Sequence, residues 1–272
     1  YWDVFDYYNQ PKLDISEEEA AEHLDGLMKS AFNYGMVADV PVGVFLSGGY
    51  DSTAVASILQ ATNSSRIKTF SIGFDVAAFN EAEEAKKIAG FLGTDHTEYY
   101  CTPKEALDII PHLPVIYDEP LADNSTIPTV LVSRLARKSV TVALSGDGGD
   151  EIFGGYDKFN RSRAFTEKIP SFLQKGLGNA MSLIEPENIP LLNRPSNFSP
   201  RYRKMRNIWK SGDGLTALKT ISQFIPEEEV QRFSKLPVQP LKTFFDSGNE
   251  LNEGNDVVNK MLAIDYKTFL VD

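Results

Sequence analysis

Two short stretches hold residue types that could do chemistry. The first is Ser47-Gly48-Gly49-Tyr50-Asp51-Ser52 and the second is Ser145-Gly146-Asp147-Gly148-Gly149-Asp150-Glu151. Each sets glycines, which let backbone N–H groups come close to a ligand, beside hydroxyls and carboxylates. Free N–H groups at the start of a helix favour an anion, and phosphate is the anion that such loops suit. A carboxylate such as Asp51 would repel phosphate unless a cation lies between them, and Mg2+ is the usual cation. The chemistry implied is therefore phosphate handling with a hard metal ion.

Two common nucleotide fingerprints do not account for the first stretch. Gly43 and Gly48 have the Gly-x-x-x-x-Gly spacing, but Gly49 and Tyr50 stand where that loop carries Lys and Ser/Thr. The Gly-x-Gly-x-x-Gly run of hydride-transfer proteins is absent. The Ser-Gly-Gly-x-Asp-Ser pattern instead resembles the pyrophosphate loop of the N-type ATP pyrophosphatases, which cleave ATP between its α and β phosphates.

The elements that must position these loops follow from hydrophobic periodicity. Val40 to Leu46 reads as a strand, and Asp51 to Leu59 as the helix after the first glycine turn. Ser16 followed by three glutamates caps a helix running to about Asn33. Lys68 to Phe74 is a second strand. A helix capped by Asn80 ends at Gly93, and His96 to Cys101 is a third strand. Helices are expected over Pro103 to His112 and Ile127 to Lys138, then a strand over Ser139 to Leu144 and a helix from Ile152. Strands alternating with helices imply an α/β fold, with a parallel twisted sheet of about five strands and helices on both faces. Ligands in such sheets sit at the carboxyl ends of strands where the strand order reverses. In the order 3-2-1-4-5 the first and fourth strands flank that crevice, and the two glycine–acid loops follow those strands. From about Arg161 the alternation stops. The expected organisation is a core over residues 1–160 and a mostly helical extension over 161–272 that ends short of its full domain.

Composition excludes several classes. Net charge is −11, from 27 basic and 38 acidic residues, which disfavours non-specific nucleic-acid or anionic-membrane partners. No apolar run approaches a transmembrane length, and Tyr1-Trp2-Asp3 opens without a signal region. The lone cysteine, Cys101, leaves no internal disulfide and no multi-cysteine metal site. A cytoplasmic protein is expected, and the missing initial Met suits a piece of something longer. His96 reads as a strand residue rather than a ligand.

Taken together, VGVFLSGGYDSTAVA, YDEPLADNSTIP and VALSGDGGDEIFGGY resemble the synthetase domain of the glutamine-hydrolysing asparagine synthetases. The resemblance spans roughly residues 16 to 160. It implies that ATP activates the side-chain carboxylate of aspartate as an acyl-adenylate, releasing pyrophosphate, and that ammonia then displaces AMP. By motif position, Ser47, Gly48, Gly49, Asp51 and Ser52 hold pyrophosphate, and Asp51 and Asp150 ligate Mg2+. Leu46, Ile72, Gly73, Ser145 and Gly146 line the nucleoside pocket. Asp147, where many members carry Glu, forms the catalytic wall with Glu151 and Tyr156. The resemblance also implies a glutaminase domain elsewhere in the full-length protein and a catalytic lysine after a segment like Asp265 to Asp272, and a homodimer is one expected assembly. The rival expectations are an amidotransferase or amide-ring-forming synthetase with another carboxylate, and a non-catalytic nucleotide-binding module.

Overall fold

The computed structural model describes all residues except 1, 75–79, 120–122, 124, 190–197, 224, 227–229, 232, 235–241 and 271–272, with the side chains of 165–167 and 269 also left aside. Its contacts divide the chain into two compact units. One is Leu13–Asp147, and the other joins Tyr1–Lys12 to Gly148–Asp272.

The Leu13–Asp147 unit is a parallel sheet in the order β3-β2-β1-β4, built from β1 (Val42–Phe45), β2 (Lys68–Phe74), β3 (Asp95–Cys101) and β4 (Val142–Leu144). Register pairs Val44 with Thr69 on one side and with Leu144 on the other. The expected order therefore holds, with four strands among the described residues rather than about five. Period-two alternation sends Val44 and Leu46 into one apolar core and Phe45 toward another. The first core packs β1 against α2 (Glu17–Gly35), α3 (Tyr50–Thr62) and α4 (Ala82–Leu92), through Phe32, Val55, Leu59 and Ala85 among others. The second packs Phe45, Phe70 and Ile72 against Val132 and Ala136 of α7 (Thr126–Ala136). Helices thus cover both faces, as right-handed crossovers require.

Local chemistry accounts for the boundaries. Ser16 and Glu19 form a reciprocal capping box on α2. Gly93 ends α4 in the left-handed region, with φ 74°. Glu81 is the residue that caps α4, but Asn80 Oδ1 accepts from the Ala82 N–H at 3.3 Å, so asparagine supplies the side-chain bond from one position earlier. The helix expected over Pro103 to His112 divides into α5 (Pro103–Ile109), with Thr102 and Glu105 as its capping box, and a 3-10 turn over Ile110–His112. A short α6 (Leu113–Ile116) follows. Strand β4 is shorter than expected because the N–H groups of Ser139 and Val140 both bond the Ala136 carbonyl, closing α7.

His96 stands on β3 with Nδ1 2.9 Å from Thr69 Oγ1, while its buried Nε2 has no partner. Burial lowers its pKa, with Glu98 opposing the shift and Lys86 adding to it. The fold therefore favours neutral imidazole. That stability is whole above the unfolded-state pKa of about 6.5 and is lost as pH falls toward the depressed folded value. Urea melts should show wild type losing more stability than His96→Gln between about pH 7.5 and 5.5; parallel losses would contradict this.

The second unit is helical. It contains α1 (Val4–Tyr8), α8 (Gly149–Phe153), α9 (Asp157–Lys168), α10 (Ser171–Met181), α11 (Phe198–Ser211), α12 (Gly214–Ser222) and α13 (Val257–Asp265). Val4 and Phe5 pack on Leu251, Ala263 and Ile264. Phe159, Leu218, Met261 and Leu262 make an adjoining core. Polar bonds fasten the N-terminal piece: Asn252 N–H donates to Asn9 Oδ1 at 2.7 Å, and Lys267 Nζ to Asp3 Oδ2 at 2.6 Å. Among the described residues no helix is long and apolar enough to cross a membrane.

Candidate functional site

In the sheet unit, the residues Ser47 to Ser52 leave the carboxyl end of β1 and enter α3. Gly48 has φ 90°, a conformation that costs a side chain about 1 kcal/mol or more. A Cβ there would also lie 3.1 Å from the Ala85 nitrogen. Gly49 caps α3 in extended conformation without a side-chain hydrogen bond. The cap residue therefore supplies no side-chain acceptor to the first N–H groups of α3, at the positive end of the helix. Hydroxyls brace the turn from within: Ser52 Oγ accepts from Ser47 N–H at 3.2 Å and lies 2.9 Å from Ser47 Oγ. Ser47 and Gly49 are exposed and Asp51 half-buried, so the loop presents its backbone and one carboxylate outward.

The second loop meets the first. Because β4 pairs with β1, Ser145 and Gly146 leave the sheet beside Ser47. A Cβ on Gly146 would lie 2.7 Å from the Ser52 nitrogen and 3.0 Å from the Asp51 carbonyl carbon. Gly146 therefore rests on the first turn of α3, and only glycine allows that approach. Ser145 Oγ donates to Asp147 Oδ2 at 2.8 Å, which orients an otherwise exposed carboxylate.

The end of β2 adds a third wall. Ser71 Oγ donates to the Leu46 carbonyl. Leu46 is buried, so what it can offer a ligand is backbone. Gly73 sits opposite Tyr100 in the register, and a Cβ there would lie 2.7 Å from the Tyr100 ring and 2.8 Å from Asn80 Oδ1. Ile72 is drawn partly into the α7 core. Of the YDEPLADNST segment, residues 120–122 and 124 lie outside the described set.

Asp150, Glu151 and Tyr156 belong to the helical unit. A Cβ on Gly155 would overlap Asp150 Oδ1, so that carboxylate lies over the Gly155 backbone. Glu151 is buried on α8 and accepts from the Tyr156 hydroxyl at 3.0 Å. Burial, this bond and the charges of Glu151, Asp150 and Asp265 push the Tyr156 phenol well above its ordinary value. Two residues that sequence reasoning missed complete the cluster. Lys158 Nζ donates to Asp265 Oδ1 at 2.7 Å and lies 4.5 Å from the Tyr156 ring centroid. The one sequence signal was a charge at Asp265 directly after the apolar run Met261 to Ile264.

Among the described residues no group of three or more His, Cys, Asp and Glu is arranged to hold a metal ion. Single carboxylates such as Asp51 suit a different ion. Mg2+ takes one or two protein oxygens and fills its octahedron with phosphate oxygens and water.

A model of the asparagine synthase family matches residues 23–272. Asparagine synthetase (glutamine-hydrolyzing) 1 of Bacillus subtilis (strain 168) is 31% identical over 268 residues, covering 96% of this chain and 40% of that protein. A relative in Methanocaldococcus jannaschii, named for asparagine synthetase (glutamine-hydrolyzing) 2, is 38% identical over 213 residues, 73% of this chain and 40% of its own length. Asparagine synthetase (glutamine-hydrolyzing) of Sandersonia aurantiaca is 37% identical over 141 residues, 47% of this chain and 26% of that protein. The chain spans about 40% of the length of the first two relatives.

Proposed function

This chain belongs to the asparagine synthase family, and we propose that it activates the side-chain carboxylate of aspartate with ATP for amide formation by ammonia. The observation that carries the reading is the seat of Gly146 on the first turn of α3, which brings two loops remote in sequence together. Ser47, Gly48, Gly49, Asp51 and Ser52 take the pyrophosphate. Leu46, Ile72, Gly73, Ser145 and Gly146 receive the nucleoside, mostly through backbone. Asp51 would hold Mg2+, and Asp150 is the second candidate ligand; the ion would screen the phosphate charge as the aspartate carboxylate approaches.

The carboxylate attacks the α phosphate, its oxygen–phosphorus bond forming as the bond to pyrophosphate breaks. Ammonia then displaces AMP at the activated carbonyl and loses a proton. Asp147, braced by Ser145, and in the helical unit Glu151, bonded by Tyr156, are the carboxylates proposed for the amine step, where such a group can attract an ammonium or accept that proton. In the longer protein a glutaminase region supplies the ammonia, in keeping with the glutamine-hydrolyzing names of the relatives.

The test is exchange of labelled pyrophosphate into ATP, which reports reversible adenylation. The reading expects exchange that depends on aspartate and Mg2+; exchange supported by another carboxylate alone, or none, would count against it. A further outcome concerns Asp150. Gly155→Ala should turn the Asp150 carboxylate aside at a stability cost of about 1 kcal/mol, because a new methyl must be accommodated. Nucleotide titrations at varied Mg2+ should then need more metal for the same affinity. An unchanged metal requirement would remove Asp150 from the metal site.

A further inference from the structure

We propose that Lys158, anchored by Asp265, is a positioning residue that holds the Tyr156 ring against Glu151. The proposal rests on the site reading above and adds residues that it does not contain. Four side chains form one chain of contacts in the helical unit. The Tyr156 hydroxyl donates to Glu151 Oε1 at 3.0 Å, Lys158 Nζ lies 4.5 Å from the Tyr156 centroid, and the same ammonium donates to Asp265 Oδ1 at 2.7 Å.

Each end of this chain is set in rigid structure. Asp265 is fully buried at the end of α13, behind Met261 to Ile264, so its carboxylate cannot follow a moving lysine. Glu151 is buried on α8. Tyr156, by contrast, is 37% exposed and precedes the first turn of α9, where no side-chain cap bond holds it. Left to its own packing, such a ring has room to leave Glu151 for water. A cation over its face attracts the ring electrostatically. The buried Phe159 ring lies 5.3 Å from the same ammonium and 6.1 Å from the Tyr156 ring. The lysine joins this partly exposed ring to a buried charged anchor, beside the ring's apolar contact with Phe159. Its consequence for the reaction is steric and electrostatic: it keeps the phenol donating to Glu151, so that this carboxylate holds one orientation toward the amine.

The test compares Lys158→Met, Lys158→Arg and Tyr156→Phe in the full chain. Crystal structures come first, because they do not depend on catalysis. Lys158→Met should release the Tyr156 hydroxyl from Glu151, and Lys158→Arg should keep the bond. Should Lys158→Met fold poorly, Lys158→Met with Asp265→Asn removes both charges of the pair and asks the same question. A Tyr156 ring still bonded to Glu151 without the lysine overturns the proposal.

Kinetics come second. In ammonia-dependent formation of asparagine from aspartate and ATP, Lys158→Met should lower kcat by about 10- to 10²-fold, a loss of the size a misplaced group brings, with the KM for ATP and the rate of pyrophosphate exchange unchanged and Lys158→Arg restoring most of the rate. In the Tyr156→Phe background the same substitution should have little further effect, since coupled residues are not additive. A full Lys158→Met effect in that background overturns the proposal. Wild-type protein without exchange would refute the aspartate reading, and the crystal structures would still decide the role of Lys158.

Discussion

Gly146→Ala is expected to weaken ATP binding by about 10- to 10²-fold. The new methyl would stand 2.7 Å from the Ser52 nitrogen and 3.0 Å from the Asp51 carbonyl carbon, both backbone atoms that cannot rotate away. Overpacking of this kind costs about 1–3 kcal/mol. The free protein can relieve it by letting the loop after β4 swing away from α3. Nucleotide binding needs both loops at their original spacing, so the relief is forfeited in the complex. At about 1.4 kcal/mol per tenfold, the strain converts to the stated loss. Gly176→Ala is the control, because a Cβ there meets nothing within 4 Å and the residue lies on α10, in neither loop. Titration of both variants with ATP checks the expectation, and equal affinities would mean that the loops do not share a ligand.

Asp265→Ala is expected to destabilise the helical unit by about 3 kcal/mol, the lower end of the cost of breaking a buried ion pair. The Lys158 side chain is 16% exposed and Asp265 is 0% exposed, so the substitution strands an ammonium that water reaches only in part. The pair is no simple source of stability. Burial raises the Asp265 pKa more than Lys158 lowers it, so the carboxylate is held above its ordinary range. An acid raised in the folded state favours folding below its unfolded pKa, and that contribution is lost as pH rises through the folded value. At neutral pH the ionised pair therefore stands as a cost that packing and other contacts offset. It follows that Lys158→Met with Asp265→Leu should lose less than Asp265→Ala alone, since apolar replacement of a buried pair is often neutral or favourable. Urea denaturation of these variants decides it; a double variant as unstable as Asp265→Ala would contradict the account.

The legible parts of this chain were those governed by local chemistry. Ser16 and Glu19 announced the start of α2, and Gly93 announced the end of α4. The order of strands followed from their alternation with helices, and with it the meeting of the loops after β1 and β4. What sequence did not show was made by contacts between distant residues. Five residues of α1 are too few to display a period, and the helix is held by Asp3 at its start and by packing on Ala263 and Ile264. The N-terminal twelve residues fall in the same unit as the C-terminal half because Asn9 and Asn252 exchange hydrogen bonds. Lys158 and Asp265 are 107 positions apart, and nothing in the pattern of either segment names the other as its partner.

The central claim is that the loops after β1 and β4 make one nucleotide site that works with Mg2+. Calorimetric titration of the folded 272-residue chain with ATP, in the presence and absence of Mg2+, tests it most directly. The account predicts saturable binding of one ATP per chain, tightened by Mg2+ and weakened by Gly146→Ala. No detectable binding at millimolar ATP, by a sample whose circular dichroism and urea transition show it to be folded, would contradict it.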